Sequence, residues 1–136
     1  MPPRTLPRKI IAPPIFKGYK PYGCPKKKKE AIELLFEEYE AIKLADYDCM
    51  HQIDGAKIMG ISRPTFARIY ETARKKIAQA LVEGKEIKAV IGNAVLETHW
   101  SHCNNCNKRF SDEECQKRKN CPKCNSENID LITNTL

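Results

Sequence analysis

The chain has 136 residues, 41% of them apolar and 30% charged, which is enough for one domain or two small ones and too apolar for a wholly disordered chain. No run of about eighteen apolar residues occurs and no basic–apolar–small leader pattern, so neither a membrane helix nor a secretory leader is expected, and the expected location is the cytoplasm. The net charge of +7 is clustered, with nine basic and one acidic side chain in residues 1–30, two and seven in residues 31–60, and five and two in residues 61–84; clustered base of this kind points to a polyanionic partner.

Residues 1–29 hold seven of the nine prolines, which excludes a helix and predicts an extended basic arm. Ile10 and Ile11 suit a short edge strand, and Lys26, Lys27, Lys28 and Lys29 end the arm. Residues 30–47 read as a helix, because Ile32, Leu35, Phe36, Tyr39 and Ile42 recur at three- and four-residue steps. Glu37, Glu38 and Glu40 read as its solvated face. Residues 51–59 read as a second helix stopped by Gly60. Residues 63–83 read as a third, with Phe66, Ile69, Tyr70, Ala73, Ile77, Ala80 and Leu81 as its stripe and Gly84 as its stop. Residues 85–100 have strand character, and the Gly92-Asn93 turn permits a short β-hairpin. Beyond Cys103 the chain is rich in Cys, Asn and Lys. Fold class is therefore expected to be mainly α, with a basic arm over residues 1–29, a helix-turn-helix domain over 30–92, and a connecting strand and zinc-ribbon-like segment over 93–136. The two folded parts are expected to have separate cores.

The second and third helices fit the steric demands of a helix-turn-helix. Ala56 is small where the helices meet, Gly60 can take positive φ, and Phe66 and Ile69 face back. Ser62 falls at the N-cap and Pro64 in the first turn. The outward face would then carry Ser62, Arg63, Thr65 and Arg68 into the major groove of double-stranded DNA. Arg74, Lys75 and Lys76 lie further along and would meet phosphate, as would the four arm lysines.

These residues carry a resemblance. Residues 36–84, with EYEAIKLAD at 38–46, GISRPTF at 60–66 and ARKKIAQALVEGK at 73–85, resemble an uncharacterised family of predicted bacterial and archaeal DNA-binding proteins, whose domain of unknown function is similar to region four of the sigma-seventy factors. RKIIAPP at 8–14 and FKGYKPYG at 16–23 extend the likeness over about the first 92 residues. The resemblance implies DNA binding and no further biochemical role. Gly55 departs from the pattern, at a position where a better helix former is usual, and should weaken the second helix by about 1 kcal/mol.

Cys103, Cys106, Cys121 and Cys124 form two CxxC pairs separated by fourteen residues, close to the spacing of a four-cysteine zinc site. Asn107 and Asn125, each following a second cysteine, tolerate the left-handed turns such sites need. Zinc is the expected metal and iron the alternative, since ligand type alone does not separate them. His99 and His102 read as surface residues, and Cys24, Cys49 and Cys115 as no part of the site. The combined reading is a DNA-binding transcriptional regulator with a structural zinc ribbon, able to form a homodimer. No enzyme activity, membrane association or small-molecule substrate is expected. The alternatives are an interaction module docking on transcription or translation machinery through the ribbon, and a metal or redox sensor using Cys115 with the other four cysteines.

Overall fold

The computed structural model describes residues 7–25, 30–115 and 120–132. The lysine run Lys26, Lys27, Lys28 and Lys29 lies outside the described residues. In chain order the elements are strands β1 (Arg8–Ile10), β2 (Gly18–Tyr19) and β3 (Ile32–Leu35), then helix α1 (Phe36–Ile42), which continues as a π-helical turn over Lys43–Tyr47. Helices α2 (Gln52–Met59) and α3 (Arg63–Glu83) follow, then strands β4 (Ile87–Val90), β5 (Ala94–Leu96), β6 (Trp100–Cys103) and β7 (Arg109–Ser111), a single turn α4 (Asp112–Cys115) and strand β8 (Ile129–Ile132).

The chain is not mainly α. Among the described residues 38% are helical and 23% are in strands, and the strands form three small sheets. The first helix is shorter than its apolar spacing predicts. Residues 32–35 are a strand parallel to β4, with Ile32 opposite Ile87 and Leu35 opposite Val90. Ile32, Leu35 and Phe36 satisfy a helical spacing, but a parallel partner more than fifty residues away decides the local conformation. The hairpin at residues 85–100 does not form either. β4 is the centre of a mixed sheet, antiparallel to β2 and parallel to β3, while β5 pairs in parallel with β1. Each strand has found a better apolar partner in the arm or before α1 than in its neighbour.

The sheets set where the cores lie. Ile10, Phe36, Ala94, Leu96 and Ile132 form one buried cluster, with Trp100 packed against it. The arm, the first helix, the connecting strand and the last strand therefore share a core across the expected domain boundaries. A second cluster joins Ala41, Leu44, Ala56, Met59 and Phe66 beneath α2 and α3. A third is built from Cys103, Phe110 and Cys121. No described helix is long and apolar enough to cross a membrane.

Candidate metal centre and nucleic-acid interface

β6 runs antiparallel to both β7 and β8, in the order β7-β6-β8. This sheet brings two loops together, one after β6 and one before β8. Their turns are built alike. Cys103 N–H donates to the Lys108 carbonyl at 2.8 Å and Asn107 N–H to the Cys103 carbonyl at 2.9 Å. In the second loop Cys121 N–H donates to the Ser126 carbonyl at 3.0 Å and Asn125 N–H to the Cys121 carbonyl at 2.9 Å. Asn107 and Asn125 have φ of 63° and 62°, in the left-handed region their position predicts.

The four sulfurs of Cys103, Cys106, Cys121 and Cys124 lie within 4.8 Å of one another. The Cys103–Cys124 and Cys106–Cys121 pairs are each 3.5 Å apart. A disulfide needs about 2.05 Å. Tetrahedral zinc with sulfur at about 2.3 Å sets sulfurs about 3.8 Å from one another, so the donor set fits such a metal. The Cys124 thiol is pulled down to about 6, chiefly by the Asn105 side chain, whose amide donates to its sulfur at 3.4 Å, and by the Ser126 backbone. Cys106 goes the other way: the Lys108 backbone lowers it, but burial and the three neighbouring thiols push it up to about 11. Thiols this close ionise together only with a cation among them.

His102 is buried, contrary to the surface position its sequence suggests. Its Nδ1 accepts from Arg109 Nε at 3.3 Å. Burial pushes its pKa down, with Lys17 and Arg109 adding to the shift and Asn107 and Asp130 acting the other way. Cys24 and Cys49 are exposed and lie apart from the sulfur cluster. The Cys115 side chain lies outside the described residues.

α2 and α3 are joined by a three-residue turn. Gly60, at φ 68°, caps α2, and Ser62 caps α3 by accepting from Thr65 N–H at 3.3 Å. Gly55 sits against α3, where an added Cβ would lie 2.8 Å from the Phe66 ring. The glycine that departs from helix preference is thus the contact point between the two helices. At the exposed start of α3, Ser62 donates its hydroxyl to Thr65 Oγ1 at 2.8 Å, and Arg68 Nη2 donates to the same oxygen at 3.2 Å. Arg63 is exposed beside them.

Further along α3, Arg74 lies over the Tyr70 ring at 5.2 Å and Lys75 pairs with Glu71 at 3.1 Å. The Tyr70 hydroxyl donates to Asp46 at 2.6 Å, and that bond raises its pKa. Lys76 is placed differently from the other basic residues. Its ammonium donates to Glu38 Oε1 at 2.7 Å and to the Glu33 carbonyl at 2.9 Å, so its charge is engaged within the fold.

Glu37, Glu38 and Glu40 are buried, and the solvated face they suggest does not exist. Asn93 N–H donates to both Glu37 oxygens, at 3.1 and 3.0 Å, and Arg8 Nε lies 4.0 Å away. Glu38 also accepts from Leu35 N–H at 2.8 Å, at the entry to α1. Burial raises the Glu40 pKa, with Lys43 and the Ile11 backbone opposing the shift. The one signal for these residues is the charge opposition between the acidic segment and the basic segments before and after it, which supply Arg8 and Lys76.

A family model described as "Protein of unknown function DUF134" matches residues 1–97. The chain is 42% identical over 123 residues to a UPF0251 protein of Chloroherpeton thalassium, covering 90% of this chain and 82% of that protein. It is 38% identical over 129 residues to one from Moorella thermoacetica, covering 95% and 86%. It is 36% identical over 126 residues to one from Methanothermobacter thermautotrophicus, covering 93% of this chain and 65% of that longer protein. No solved structure matches the chain.

Proposed function

The chain belongs to the uncharacterised DUF134 (UPF0251) family of bacteria and archaea, and from the geometry of its sites we propose that it is a cytoplasmic, non-enzymatic DNA-binding protein that regulates transcription. The observation that carries the reading is the relay from Ser62 through Thr65 to Arg68 at the exposed start of α3. α2, its turn and α3 act as a helix-turn-helix, with the first turns of α3 in the major groove. Arg63 and Arg68 read guanine edges or clamp beside them, since a guanidinium can meet O6 and N7 together. Thr65 holds Arg68 in place and meets phosphate. Arg74 and Lys75 meet backbone, because Lys75 shares only an exposed, weak ion pair with Glu71 and Arg74 only a ring contact with half-buried Tyr70. Lys26, Lys27, Lys28 and Lys29 neutralise phosphate without reading sequence. Lys76 is left out of the interface, since Glu38 holds it.

The four cysteines would hold a structural Zn²⁺ in a ribbon. All four positions are filled by protein, so the metal supplies folding energy rather than an open coordination site.

A salt titration of Arg68→Ala, and of a variant with the four arm lysines replaced by serine, on selected and scrambled duplexes tests the reading. Arg68→Ala should lose about 1–3 kcal/mol on the selected duplex and relax sequence preference. The lysine variant should weaken both duplexes alike and lower the salt slope by up to about one per lost phosphate contact. If neither variant changes DNA binding, the helices serve another partner.

A further inference from the structure

A cleft of about 770 Å³ opens between the arm, β4 and the cysteine-bearing sheet, bordering the first cysteine turn through His102 and Asn107. Lys17 and Lys20 come to it from the arm, Lys88 from β4 and Arg109 from β7, against a single carboxylate, Glu86. Among the described residues no ion pair joins any of these four cations to a carboxylate. Arg109 is nonetheless held in place. Its Nη1 donates to the carbonyl of buried Pro14 at 2.9 Å and its Nε to His102 Nδ1 at 3.3 Å. Both partners are neutral acceptors. Two of the five N–H donors of the guanidinium are engaged and its charge is uncompensated.

A fixed, part-buried guanidinium flanked by three lysines is suited to an anion with several oxygens, and its fork fits phosphate. The volume is too large for inorganic phosphate alone and lies in the range of small-molecule pockets. Phe16, Ala89 and Val90 form an apolar stretch of the remaining wall, with Ile15 exposed at it and His102 and Asn107 as its polar members. We infer that this cleft binds a phosphorylated small organic molecule, with Arg109 and Lys88 on the phosphate and the Phe16–Val90 wall on the organic part. The site is separate from the proposed DNA-reading surface. None of the residues lining the cleft belongs to α2 or α3. A ligand there is an effector rather than part of the duplex.

Fluorescence anisotropy with mant-ADP, on the full chain at low salt, tests this. Saturable binding is expected, weakened at least about tenfold by Arg109→Gln, by Lys88→Gln and by Lys17→Gln. The two lysines are exposed, so their variants keep the test valid where Arg109→Gln perturbs folding. Arg68→Ala should leave nucleotide binding unchanged while lowering DNA affinity, which separates this inference from the DNA-binding reading. Absence of saturable binding, or binding insensitive to the lysine variants, overturns the proposal. Displacement by inorganic pyrophosphate as strong as by ADP overturns the organic part. Displacement by a short duplex, with Lys88→Gln lowering DNA affinity, overturns it in favour of a nucleic-acid backbone.

Discussion

Lys76 on α3 and Glu38 on α1 meet at 2.7 Å, with the Glu38 side chain only 5% exposed. The same carboxylate accepts from the Leu35 backbone where β3 becomes α1. One ion pair therefore fastens the long helix to the strand-to-helix junction. Removing the ammonium leaves a buried carboxylate with one neutral donor, which is worse than removing both charges. Lys76→Met is expected to destabilise the fold by about 1–3 kcal/mol in urea unfolding, and Glu38→Gln in the same chain should restore part of that loss. A loss below about 0.5 kcal/mol would show that water already screens the pair.

Gly55 gives a prediction with a reversed sign. In an exposed helix interior, glycine to alanine gains about 1 kcal/mol. Here the new methyl would stand 2.8 Å from the Phe66 ring, and that ring is fully buried. Gly55→Ala should therefore lower the urea midpoint, by about 1–3 kcal/mol of overpacking. A gain in stability would mean that α2 and α3 are not packed through this contact.

Glu40 sets a pH dependence. Burial raises its folded pKa above the ordinary 4.5. From 4.5 upward to the folded value, the folded chain holds a proton that the unfolded chain has released. Its contribution to stability is present below that window and is lost as pH rises through it. Glu40→Gln keeps the shape and removes the titration. Urea midpoints measured from pH 4.5 to 7.5 should fall less steeply with pH in this variant than in the parent. Parallel curves would show that Glu40 stays ionised in the folded chain.

The metal prediction follows from the shared core. Purified under reduction, the chain should carry about one zinc, and Cys121→Ser should lose it. Ile132 of β8 packs with Ile10 and Leu96 of the β1–β5 pair. Chelation should therefore raise amide exchange at Ile10 and Leu96 as well as in residues 103–132, while α2 and α3 keep their protection. Unchanged exchange at β1 and β5 would mean that the cysteine-bearing sheet folds independently.

What was legible in the sequence was what local chemistry decides. Ser62, Pro64, Gly60 and Gly84 bound α2 and α3 by capping, and both helices begin and end within a residue of where those signals put them. The cysteine spacing and the asparagines behind it located four sulfurs that do converge. What stayed hidden depends on remote partners. Ile32 to Leu35 looks helical until β4 is beside it. Glu37 looks solvated until Asn93 and Arg8 close over it. Arg109 in its cleft depends on Pro14, ninety-five residues away.

The parallel pairing of Arg8 with Ala94 also constrains the order in which the chain folds. β1 is made well before β5, so its strand has no partner until β5 follows, and its core lacks Ile132 until β8 is made. The cluster under α2 and α3 involves only residues 41–70 and can close while synthesis continues. Closing the β1–β5 loop then requires a non-local search, the slow kind of step in small domains. Until then Ile10 belongs to an unpaired apolar strand, and the prolines and positive charge around it are of the kind that disfavours edge-to-edge pairing and the aggregation it templates.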